Sequence, residues 1–169
     1  GRKDIEQGTA MIQEAQQKMR DERQNVIGTS IACWMAEGLA AGGRAEEALV
    51  VVQNARGDAV RRAEAVHLPE LLRLQAQILF SVSETSEPQV VRLLERSRLI
   101  ARRQSGLSWE LRSSLDLARI RVRQGERAEA TQLLATSYGR FTEGFATHDL
   151  QAGAQLLREL DPLASRAAV

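Results

Sequence analysis

Among 169 residues there is a single cysteine, Cys33, so no internal disulfide is available and a reducing compartment, the cytoplasm, is the expected location. Proline occurs only at Pro69, Pro88 and Pro162, and aromatic residues make up 4%. Helices therefore meet few breakers, and the core has to be aliphatic. Charge of one sign is also missing, because 23 basic and 22 acidic residues leave a net +1. With no overall field, neither nucleic acid nor an anionic membrane is an expected partner. No apolar run approaches the ~20 residues that span a bilayer, and no charged start leads into a signal-like apolar stretch. The two histidines, His67 and His148, stand far apart and suit capping or surface roles. No ligand spacing suits a metal, and Gly38, Gly42 and Gly43 are not followed by the Gly-Lys-Ser/Thr of a phosphate loop. Cys33 reads as a small buried hydrophobe. No cofactor, no metal and no catalytic residue is expected.

What the chain does have is resemblance to itself. Gly8, Ala48, Val90 and Ala130 recur at intervals of 40, 42 and 40 residues, and so do Ile12, Val52, Leu94 and Leu134. Ala15, Ala55, Ser97 and Ser137 keep the same steps, while Ala36, Ala76 and Ala118 keep the 40 and 42. Gly43 returns as Gly125, each just ahead of an Arg-Ala-Glu-containing string. A period of this size marks a repeat array, in which each unit buries its apolar face only by stacking on its neighbours. Hydrophobic residues at 43% supply a core, and the abundance of alanine, leucine, arginine, glutamate and glutamine favours helix. The fold class expected is all-α, with about three and a half helix pairs and a C-terminal capping helix.

Boundaries follow from periodicity and punctuation. Residues 1–24 read as an orphan second helix, and because the chain enters part-way through a repeat it is expected to be a piece of something longer. Repeat 1 occupies 25–66, with a helix to Ala41, a stop at Gly42 and Gly43, and a partner from Ala45 whose Glu46 and Glu47 suit the positive end of the helix dipole. Repeat 2 occupies 67–106, with Pro69 in its first turn, a turn over 81–88 and a return helix from Val90. Repeat 3 occupies 107–139, with Ser108 as the expected N-cap and Gly125 at the turn. The remainder, 140–169, is expected to hold a capping helix starting after Thr147. Together 1–169 form one repeat domain. The arginines at 92, 96, 98, 102 and 103 are expected on a solvated outer face. Trp34 and Trp109 are expected to pack between repeats.

Small residues at the helix crossings, glycine at the turn and alanine early in the second helix resemble the tetratricopeptide repeat (TPR); Ala36, Gly43 and Ala48 carry the likeness in repeat 1, and Ala118, Gly125 and Ala130 in repeat 3. The resemblance implies a right-handed αα-superhelix, although the period near 41 exceeds the family's usual ~34 and on period alone fits armadillo-like and HEAT-like pairs as well. It also implies a concave groove lined by first helices, at Ser30, Cys33 and Glu37, then Glu70, Arg73 and Gln77, then Arg112 and Arg119. The arginines among these suggest acidic ligands. A narrower likeness covers Trp109, Glu110, Leu111, Arg112, Leu117, Ala118, Gly125, Ala130, Leu134, Tyr138, Gly139, Phe141, Thr142, Glu143, Gly144, Phe145, Thr147, Asp149 and Leu150. This stretch is similar to the C-terminal end of bacterial proteins that join a class III adenylate or guanylate cyclase domain, or a winged-helix regulator, to an AAA-type ATPase module and a TPR tail. Arg140 stands where those chains usually place a second aromatic.

The resulting expectation is a non-catalytic interaction or regulatory region of a larger bacterial signalling protein, binding protein, peptide or other domains of its own parent chain. The alternative is a ligand- or peptide-sensing arm of an ATPase-type transcriptional regulator.

Overall fold

A computed structural model of the chain describes residues 5, 7–14, 28–62, 65–83 and 86–160. Among these residues every regular element is helical and no strand occurs. The elements are α1 (Gly28–Ala41), α2 (Ala45–Arg61), α3 (Leu68–Val82), α4 (Glu87–Arg103), α5 (Leu107–Arg123), α6 (Arg127–Tyr138) and α7 (His148–Leu160). The helix expected over 1–24 is seen at 7–14, with Thr9 Oγ1 donating to the Ile5 carbonyl at 2.6 Å. Ala15, the rest of that segment and the tail after Leu160 lie outside the described residues.

Two compact units divide the chain between Leu93 and Leu94, within α4. In the first, α1 and α2 form a hairpin and α3 packs on both. In the second, α5 and α6 form a hairpin and α7 packs on both. The apolar centres are aliphatic: Met35, Ala36, Leu39, Ala48, Val52, Leu71, Leu74 and Ile78 in one, Leu111, Leu115, Ala118, Ala130, Leu134 and Leu150 in the other. Each fully buried leucine contributes about 1.5–3 kcal/mol relative to an exposed one.

The repeated small residues are at the tightest places. Ala36, Ala48, Ala76, Ala118 and Ala130 are all fully buried, as are Val52 and Leu134 from a second register. Helices that approach to ~8–10 Å leave no room for longer side chains at such points. On α4 the register positions Val90, Leu94 and Ser97 join Ala101 in a buried stripe. Arg92, Arg96, Arg102 and Arg103 are exposed, and Arg98 is half-buried.

Three helix ends use one device. After α1 the N–H of Gly43 donates to Ala40 at 3.0 Å and that of Arg44 to Leu39 at 2.9 Å. After α5 Gly125 donates to Val122 and Glu126 to Arg121, at 3.0 and 2.9 Å. After α4 Ser105 donates to Arg102 and Gly106 to Ala101, at 3.2 and 2.8 Å. These Schellman pairs satisfy carbonyls that a helix end leaves open and need a left-handed residue. Gly43 has φ 80° and Gly125 φ 83°, while Ser105 holds φ 57° without glycine's freedom.

Some boundaries move. The N-cap of α5 is Gly106, not Ser108, and a Cβ at Gly106 would stand 3.0 Å from Cε3 of Trp109. The indole ring occupies the space a capping side chain would need. Helix α4 starts at Glu87, because Pro88 is tolerated in a first turn as Pro69 is in α3, and Ser81 still belongs to α3.

Candidate functional site

The N-terminal half of α3 is covered on every side. Residues from Pro69 to Ala76 are all buried, including Glu70, Arg73 and Gln75. Buried polar groups need partners, and these have them. Arg73 donates from Nε to Glu70 Oε2 at 2.9 Å and from Nη2 to Glu70 Oε1 at 2.7 Å, a two-pronged pair one helical turn apart. Gln75 Oε1 accepts from Arg56 Nη1 on α2 at 2.8 Å. Ser30 Oγ and His67 Nε2 share a hydrogen bond of 2.8 Å, tying α1 to the residue that precedes α3.

This arrangement brings together the groove positions expected from the first two repeats. Arg73 Nη2 lies 3.7 Å from Glu37, whose side chain is 49% exposed. Cys33 is buried, and its thiol is pushed up to about 12, first by burial and then by the charges of Glu70 and Glu37, with Arg73 opposing. A thiol held protonated at neutral pH is a poor nucleophile. Further along, Glu37 and Ala40 of α1 face Leu74, Gln77, Ile78 and Ser81 of α3 across a cleft of about 240 Å³. Trp34 lies one turn before Glu37 on the solvent side of α1 and is 58% exposed. Its expected place between repeats is therefore corrected: positions 31, 32, 33, 35 and 36 take the buried arc of α1 and leave Trp34 outside it.

The second unit has its own cleft, about 400 Å³, lined by Ser108, Leu111, Arg112, Phe141 and residues 147–150. Arg112 donates from Nε to Asp149 Oδ2 at 2.7 Å across it, linking α5 to α7. Arg119 lies outside this cleft and pairs with Asp116 at 3.3 Å. So the carboxylates that Arg73, Arg112 and Arg119 meet belong to the chain itself. Beside the cleft, fully buried Glu110 accepts from Arg140 Nη1. Arg140, the odd residue of the aromatic link, is thus the counter-charge to an interior carboxylate, and Phe141 packs on the second core. Tyr138 meets Phe145 with ring centroids 6.0 Å apart and sits against Gly153, where a Cβ would come within 3.0 Å of its ring. In the sequence Arg140 stands out only as a departure from an aromatic pattern, with no partner assigned to its charge, and Gly153 does not stand out at all.

Among the described residues no group of three or more His, Cys, Asp or Glu side chains is placed to hold a metal ion. No described helix is long and apolar enough to cross a membrane. No protein-family model, curated protein or solved structure matches the chain.

Proposed function

We propose that this chain is a non-catalytic, TPR-like interaction segment of a larger bacterial signalling protein, and that it holds a peptide or protein partner on the α1–α3 face. One observation carries the reading: Glu37 and Gln77, expected in a ligand groove, line an open cleft there, with the buried Glu70–Arg73 pair next to Glu37 and the exposed Trp34 one turn before it on α1. An exposed tryptophan is a residue type enriched at binding hot spots. The likeness of residues 109–150 to the tails of cyclase- or regulator-type proteins with an AAA-type module supports the wider context.

Selection of a random displayed-peptide library on the full chain tests this. The reading expects enriched sequences whose capture falls at least about tenfold with Trp34→Ala, since interface tryptophans commonly contribute ~1.4 kcal/mol or more. No enrichment, or binders indifferent to Trp34, would refute it.

A second reading, the small-ligand-sensing arm of an ATPase-type transcriptional regulator, draws on the 400 Å³ cleft, which falls within the ~300–1,000 Å³ range of ligand sites. It expects a metabolite that raises the melting temperature of the wild type and leaves Arg112→Ala unaffected.

A further inference from the structure

We propose that the cleft between the C-terminal halves of α1 and α3 receives a lysine or arginine side chain of a peptide partner, with Glu37 as its counter-charge. The inference rests on the interaction reading above and reverses the sign of ligand expected from the arginines.

The reversal follows from where Arg73 is spent. Both prongs of its guanidinium are engaged by Glu70 at 2.7 and 2.9 Å, and both residues are buried. What reaches the surface is Glu37, 3.7 Å from Arg73 and half open to water. Two carboxylates therefore share one guanidinium. The buried thiol of Cys33 senses the same imbalance, since the charges of Glu70 and Glu37 push it up against the opposing pull of Arg73.

The walls suit the rest of such a side chain. Ala40, Leu74 and Ile78 offer apolar surface to a methylene stem, with Glu37, Gln77 and Ser81 around them. Long basic side chains commonly bury their stem and keep the charge at a polar edge. The cleft also lies toward the ends of α1 and α3, where helix dipoles are negative, and neither helix carries a basic residue in its last turn. An acidic ligand would meet Glu37 and two negative helix ends. A cationic one finds all three favourable.

The test titrates two labelled peptides of equal length, one alternating lysine and alanine, the other glutamate and alanine, into the full chain by fluorescence anisotropy. The lysine peptide should bind more tightly, lose about three- to tenfold in affinity with Glu37→Gln, and be indifferent to Glu46→Gln on α2. Because Glu37 is exposed, circular dichroism should show the variant as helical as the wild type. Tighter binding of the glutamate peptide, no effect of Glu37→Gln, or no binding of either peptide would overturn the site. If library selection still enriches peptides in that event, the interaction reading stands without this cleft; if selection fails too, both fall.

Discussion

The first unit pairs its buried carboxylate within one helix, whereas the second reaches along the chain for a partner. Glu70 and Arg73 are one turn apart, and their side chains are 8% and 9% exposed. Glu110 is just as deeply buried, yet Arg140 comes from thirty residues further on and keeps 37% of its side chain in water. The local pair therefore has both ions desolvated, while the non-local pair has one. A pair of the first kind is costly to break from either side. The second kind is costly to break only from the arginine side, because a stranded Arg140 can turn outward and a stranded Glu110 cannot.

The sharpest challenge to this contrast is Arg73→Met, which leaves Glu70 buried without its main counter-charge. Urea unfolding should show a loss of about 3–5 kcal/mol. A loss below about 1 kcal/mol would mean that Glu70 finds water unaided. Next comes the asymmetry itself: Arg140→Ala should cost about 3 kcal/mol and Glu110→Gln only about 1 kcal/mol. Equal costs would erase the difference between the units.

Where the units are alike, mutations should agree. Ala48→Leu and Ala130→Leu overfill equivalent crossings and should each cost about 1–3 kcal/mol; a large discrepancy would show that the crossings are not equivalent. The turns test the same likeness through the backbone. Gly43→Ala and Gly125→Ala have open space for a Cβ but a positive φ, so each should lose about 1–2 kcal/mol from backbone strain alone. Ser105→Gly should gain up to about 1 kcal/mol by relieving the same strain, with thermal melts as the measure.

Much of this architecture is legible in the order of residues. The steps linking Ala36 to Ala76 and Ala118, and Ala48 to Ala130, mark the crossings because a close approach tolerates few side chains there. Gly43 and Gly125 mark turns because the left-handed residue of a Schellman pair is chosen locally. The site was less legible. Glu70 and Arg73 stand at a readable i, i+3 spacing, yet whether that pair faces water or the interior depends on α1 and α2 closing over α3. The two tryptophans make the same point: Trp109 folds onto Gly106 and displaces the expected cap, while Trp34 stays in solvent.

Sequence alone determined that this protein is helical, where its hairpins turn and which small residues let them cross, since each depends on residues a few positions apart or on a fixed period. Tertiary structure decided which charges remain at the surface. Arg73 is neutralised inside and Glu37 is left outside because burial and distance select the partner of a charge, and neither is written in the linear order of the chain.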